Sequence, residues 1–308
     1  MACCSIQGII NSGIPTSSTG QIGKIVRAIF LNQFASDGTS NRIDLSDTID
    51  TAYITAKLNE ADPTKRWYPS DRIESITNER ATPTTEAIGN LTLNVEKGVR
   101  TFQGIFVKSY SSSPTYLKFL ESLECDSVMV FYIDECGNLI GEQKEEGFLD
   151  GIAIQEKSVY SLNVPQADGA LPKNEINYTI DQLVKDSNLN FIAKADIGSD
   201  LLAINGLLDV TLTENGDFPP SLTDLTVDGT LIWGNAKEKL TFNGADDPSD
   251  WVVNNTTTPA SITVLTVTES PNGTYNLTFA AQTPLDEVSV QVSKEGFESN
   301  VLTGVVLS

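Results

Sequence analysis

Residues 79–106 read ERATPTTEAIGNLTLNVEKGVRTFQGIF. The stretch opens with charge and threonine, turns through Gly89-Asn90 and then alternates. Leu91, Leu93 and Val95 fall on one side, and Thr92, Asn94 and Glu96 on the other. Period two is the signature of a strand with one buried and one wet face. Glu96-Lys97-Gly98 interrupts the pattern, and Val99 to Phe106 resumes it. The wet face has to meet something, and the function turns on what that is.

Working outward, residues 22–34 (IGKIVRAIFLNQF) are β-branched and apolar enough for a strand, closed by a turn cluster at 36–40. Ile49 to Leu58 reads as another strand, with Ala52, Ile54 and Ala56 on one face. Residues 59–90 are rich in Asp, Glu, Arg, Thr and Pro and read as a long arm loop, a length usually reserved for function. Arg66, Trp67, Tyr68, Arg72 and Arg80 lie in it, residue types that subunit contacts favour. They are the candidate inter-subunit residues; the competing reading for Trp67 is a cap on the local core.

Residues 113–124, SPTYLKFLESLE, predict a helix over about 114–124, with Ser113 as N-cap and Pro114 at its first position. Strands are expected at 127–134, 148–155, 176–183 and 190–196. One short helix among many short strands predicts a mainly β sandwich or barrel over residues 1–205. Beyond Gly206 there is no arginine, and strand-like pieces recur at short spacing. Residues 206–308 therefore read as an immunoglobulin-like β-sandwich, with Trp233 and Trp251 in its core.

Composition narrows the chemistry. The 308 residues carry a net charge of −21 and no histidine. That removes the commonest general base, the commonest transition-metal ligand and every Ser-His or Cys-His nucleophile. Residues 1–100 hold ten basic against eleven acidic residues, whereas 206–308 hold three against fourteen. No basic patch is available for counterion-release binding to nucleic acid. Cysteines at 3, 4, 125 and 136 lack metal-site spacing, and free thiols in a reducing compartment are expected. No apolar run reaches bilayer length, so membrane insertion is not expected.

Three local motifs come to little. Gly20-Gln21-Ile22-Gly23-Lys24 looks like the end of a phosphate-binding loop but has Ser18 and Ile25 where Gly and Ser or Thr belong. Asp246-Asp247-Pro248-Ser249-Asp250 lacks the glycine and spacing of a calcium loop and reads as a solvated turn. The Asn-x-Thr triplets at 90, 177, 272 and 276 read as turn and strand residues. No catalytic, cofactor or metal residues are expected.

The arm KRWYPSDRIESITNERATPTTE, the strand stretch GVRTFQGIF, the helix SPTYLKFLESLE and a closing sandwich follow one another in an order similar to major tail tube proteins of tailed bacteriophages. The likeness is strongest to those of Bacteroidota phages, covers about residues 20–200, and rests on RWYP, ERATPT and GVRTF. It implies a non-enzymatic structural virion protein, made in the bacterial cytoplasm and placed in the tail. Such proteins form homo-oligomeric rings, usually hexameric, stacked around a channel. Their partners are copies of themselves, the tape measure and other tail proteins, and DNA that passes at genome ejection without specific binding. On this reading the arm reaches the adjacent ring, Thr92, Asn94 and Glu96 are lumen candidates, and the last domain projects outward. The alternative is a capsid decoration or fibre protein whose last domain binds a host-surface glycan. An enzyme acting on cell-wall polysaccharide is the third reading, disfavoured by the absence of histidine and of any distinctive acid pair.

Overall fold

The computed structural model describes residues 22–88, 90–96, 98–108, 111–124, 127–216, 218, 223–234, 237–270 and 273–307, with backbone alone at 91–96 and 234. Cys3, Cys4, Cys125, Gly20 and Gln21 lie outside the described residues. The chain is mainly β. It divides into two compact units, Met1–Gly206 and Leu207–Ser308, at the boundary expected from the change in composition.

The first unit runs β1 (Ile25–Asn32), β2 (Arg42–Asp44), α1 (Thr51–Leu58), β3 (Tyr68–Pro69), β4 (Ser75–Arg80), β5 (Thr84–Ile88) and β6 (Leu91–Glu96). It continues with β7 (Arg100–Phe106), α2 (Pro114–Ser122), β8 (Val128–Asp134), β9 (Leu139–Glu142), β10 (Phe148–Asp150) and β11 (Ile152–Ala153). β12 (Tyr160–Val164), β13 (Lys173–Thr179) and β14 (Leu189–Ile192) complete it.

One sheet has the order β2-β10-β9-β8-β1-β3, with β11 on β8 and β14 on β9. Its centre is the antiparallel pair β1–β8, in register from Asn32↔Val128 to Ile25↔Asp134. IVRAIFLN and VMVFYID do not alternate, because both faces of these strands are covered. Ile29, Leu31, Met129, Phe131 and Ile133 point into a core closed by Ile54, Leu58, Trp67, Leu149 and Leu201. A second sheet, β12-β13-β7-β4, presents Phe102, Phe106, Ile176 and Tyr178 as buried residues.

Three expectations need correction. Residues 51–58 are a helix, not a strand. The Asp50 carboxylate accepts from the Tyr53 amide at 2.8 Å, and Ile54 and Leu58, one turn apart, are both buried. A cap with a period-four apolar pair outweighs the chance alternation Ala52, Ile54, Ala56. The arm is not a loop from 59 to 90. β3 pairs with β1, the Ser70 and Ile73 amides donate to Ala28 and Val26, and β4 pairs along the whole of β7. Among the described residues, β5 and β6 stand apart as a two-stranded hairpin of their own. Finally, Cys136 is disulfide-bonded, against the expectation of free thiols.

The helix α2 forms as expected, with Ser113 Oγ accepting from Tyr116 N at 3.3 Å and Pro114 in its first turn. Among the described residues no helix is long and apolar enough to cross a membrane.

The second unit comprises β15 (Leu208–Glu214), β16 (Asp224–Gly234), β17 (Lys239–Thr241), β18 (Trp251–Asn255) and β19 (Ala260–Ile262). It ends with β20 (Val264–Ser270), β21 (Thr274–Phe279), β22 (Glu287–Val292), β23 (Phe297–Ser299) and β24 (Leu302–Val305). These form a sandwich of two sheets, β20-β21-β16-β15-β23 with β17 on β16, and β19-β18-β22-β24. Val210, Leu212, Val227, Tyr275 and Leu277 of one sheet meet Trp251, Val253, Val288 and Val290 of the other. The Trp251 indole donates to the Ala245 carbonyl at 2.8 Å, so its polar atom is satisfied in the core. Trp233, expected in that core, is half-buried.

Two predictions follow from these cores. Asp150 is buried opposite Glu142 across the β9–β10 rung, and burial, only partly offset by Arg42 and Lys144, raises its pKa above 3.8. The contribution of protonated Asp150 is full below the unfolded value and is lost as pH rises through the folded one. Relative to Asp150→Asn, wild-type stability should therefore decline as pH rises above the ordinary carboxylate range, read by urea unfolding over a pH series. Residues 207–308 expressed alone should fold and unfold cooperatively, read by circular dichroism and thermal melting, because their core is internal to the unit.

Candidate functional site

The wet face expected at 91–96 cannot be placed: the side chains of Thr92, Asn94 and Glu96 lie outside the described residues. A different wet face is well defined, on the sheet β12-β13-β7-β4. Its registers align three rows across β13, β7 and β4. They are Thr179, Thr101 and Glu79; Asn177, Gln103 and Thr77; and Glu175, Ile105 and Ser75. Tyr160 and Leu162 of β12 extend the second and third rows. Period two puts these residues on one face because Phe102, Phe106, Ile176 and Tyr178 take the other.

The buried face fixes that orientation. The Phe102 ring stacks on Tyr178 at 4.8 Å and on Tyr132 of β8 at 5.2 Å. The two tyrosine hydroxyls hydrogen-bond each other at 2.9 Å, and burial pushes both phenols well above their ordinary range. Neither phenol ionises there, so the pair serves as a neutral bridge between the sheets. Asn174 adds a polar anchor, donating to the Ser111 and Ser113 carbonyls at 2.8 Å each, just before α2.

This face carries mostly uncharged polar side chains around a buried Glu175. Gln103 donates to Glu175 at 2.9 Å, and Lys173 is ion-paired with the same carboxylate. Its neighbours are the hydroxyls and amides of Thr77, Thr101, Asn177 and Thr179. Among the described residues, β4 and β12 each pair with one strand of the sheet; the outer edge of β12 is partly taken by Glu124, whose carboxylate accepts from the Ser161 amide at 2.7 Å. The sequence signal for this face is the alternation in RTFQGIF and INYTID.

The arm residues separate. Arg66 and Trp67 are buried, Arg66 Nε donating to the Glu60 carbonyl at 2.8 Å. The Trp67 ring lies 5.9 Å from Phe131 and 6.2 Å from Tyr53. Both belong to the unit's own core, which corrects their assignment to a subunit contact. The Tyr68 hydroxyl donates to the Pro63 carbonyl at 2.9 Å. Arg72 is exposed, 3.8 Å from Glu74, and Arg80 is ion-paired with Asp186 at 2.9 Å. β5 is exposed at every residue, Ile88 included.

A cavity of about 210 Å³ lies beside β1, lined by Arg27, Asp71, Arg72 and Lys108 among others. Arg27 spends its guanidinium on the carbonyls of Ser70 and Leu202 at 2.6 to 3.0 Å, as a brace of the chain. Two of the three acids at 246–250 are likewise engaged: Asp247 caps a single 3-10 turn through Ser249, and Asp250 pairs with Lys294 at 2.8 Å. Among the described residues no group of three or more metal-ligating side chains gathers.

No protein-family model matches the chain, and comparison with curated proteins finds no match.

The two faces of β7 make opposite predictions. Phe102→Ala should cost about 3–5 kcal/mol, as expected for an aromatic removed from a closed stack. Thr101→Ala, exposed on the next position, should stay within about 0.5 kcal/mol. Denaturant unfolding of both variants checks the assignment.

Proposed function

We propose that the chain is a structural virion subunit that closes into rings and stacks into a phage tail tube. The observation that carries this reading is the sheet β12-β13-β7-β4: buried on one face, largely polar on the other, and ending in β4 and β12, each with a strand on one side only, the β12 edge held at Ser161 by Glu124. An exposed edge is a template for another strand. If β4 of one copy meets β12 of the next, the ladder continues and a closed ring leaves no edge. The polar face then looks into the channel.

The chemistry of that face suits the passage of a polyanion. Threonine, glutamine and asparagine offer no fixed positive charge, and the lysine is paired to Glu175. Basic residues there would hold phosphate through counterion release and retard the genome. The net charge of −21 acts in the same direction. The likeness of RWYP, ERATPT and GVRTF to tail tube proteins adds to the reading, although Arg66 and Trp67 of RWYP are buried in this chain rather than carried on an arm. The hairpin 84–96 is the segment left to reach another copy. Partners are other copies, the tape measure protein and transiting DNA; the second unit is an appended sandwich.

Negative-stain electron microscopy of the full-length protein at rising concentration tests this. Rings or hollow tubes are expected, and Gln103→Lys should leave them intact while making them retain duplex DNA in a gel-shift assay. Isolated particles at every concentration would overturn the tube reading in favour of a decoration or fibre subunit.

A further inference from the structure

The last rung of β4–β7 before the hairpin departs pairs Arg80 with Arg100. Two like charges directly opposite on a ladder repel, and the rung is destabilised unless a third group neutralises it. That group comes from elsewhere in the chain. Asp186, in the 3-10 turn after β13, accepts from Arg80 Nη2 at 2.9 and 3.0 Å and from Arg100 Nη1 at 3.1 Å. Arg100 Nε is further held by the Asn78 side chain at 2.9 Å.

The rung sits against a second constraint. The Ala81 amide donates to the Val99 carbonyl at 2.8 Å. A Cβ built on Gly98 would stand 1.5 Å from the Ala81 carbonyl oxygen, so only glycine admits this approach. Beyond this point, among the described residues, β5 and β6 pair only with each other. The direction in which the hairpin leaves the body is therefore decided at the root, by one close backbone contact and one three-membered ion cluster.

We infer that Asp186 is a positioning residue for the hairpin. By neutralising Arg80 and Arg100 together it latches the root shut and sets how the hairpin is presented to a second copy of the chain. An isolated surface ion pair contributes little, but a carboxylate shared by two arginines, both partly shielded, is the case in which a network counts. The link to assembly rests on the tube reading; the latch does not.

The test is amide hydrogen exchange on the dilute full-length protein, before any assembly. Asp186→Asn should raise exchange at Ala81 and at the outer β4–β7 amides about fivefold, while amides of β1 and β8 keep their protection and report an intact fold. Adding Arg80→Ala to Asp186→Asn should return root exchange towards wild type, because the repulsion then has only one cation. A merely structural role for the 186–188 turn would not be rescued in this way. Unchanged root exchange in Asp186→Asn, or no rescue in the double variant, overturns the latch. Microscopy of the same variant reads the consequence separately: a loosened root with unimpaired rings leaves the latch standing and removes the hairpin from assembly.

Discussion

The stack of Tyr178, Phe102 and Tyr132 is the contact on which the first unit depends. It joins two sheets that share no strand, and Phe30 of β1 closes it edge-on at 6.2 Å from Tyr178. Three aromatic side chains buried together stabilise by several kcal/mol through area and ring geometry. The two hydroxyls would each be costly in such a place, and pairing with one another removes that cost. The stack is therefore directional as well as apolar: it sets which residues of β7 and β13 point inward.

Everything proposed about the outer face follows from that orientation. With Phe102 inward, Thr101 and Gln103 must point outward, and with Tyr178 inward, Asn177 and Thr179 must do the same. A one-residue slip would exchange the faces entirely. The polar surface is thus a consequence of the core, and a surface held on a rigid sheet suits a channel wall better than one carried on a loop. The hairpin is the opposite case. Its two strands pair with each other, and the inferred latch of Arg80, Arg100 and Asp186, with the close backbone approach at Gly98, sets its bearing.

The second unit solves the same problem more simply. Its two sheets bury alternate residues against each other, and its strands carry threonine, asparagine and aspartate on the outside. Its strong acidity keeps that surface soluble and repels other polyanions.

Some of this was legible in the residues alone. The mainly β class, the boundary near 206 and the capped helix at 113–124 depend on local signals: alternation, turn residues, a Ser-Pro start and a change in charge. These act within a few residues and so survive without tertiary information. The strand read at 49–58 failed because alanines at alternate positions fit either period, and the Asp50 cap and the burial of Leu58 decided the matter. The arm failed for a longer-range reason. A polar, proline-bearing stretch looks like a loop until β1 offers its edge to residues 68–73 and β7 offers its own to 75–80. The sequence alone determined that this chain alternates greasy and wet residues along short strands and holds no histidine for chemistry. Only the tertiary structure decided which wet face stays open, because that depends on which strands find partners far along the chain, and on a carboxylate that reaches two arginines from about a hundred residues away.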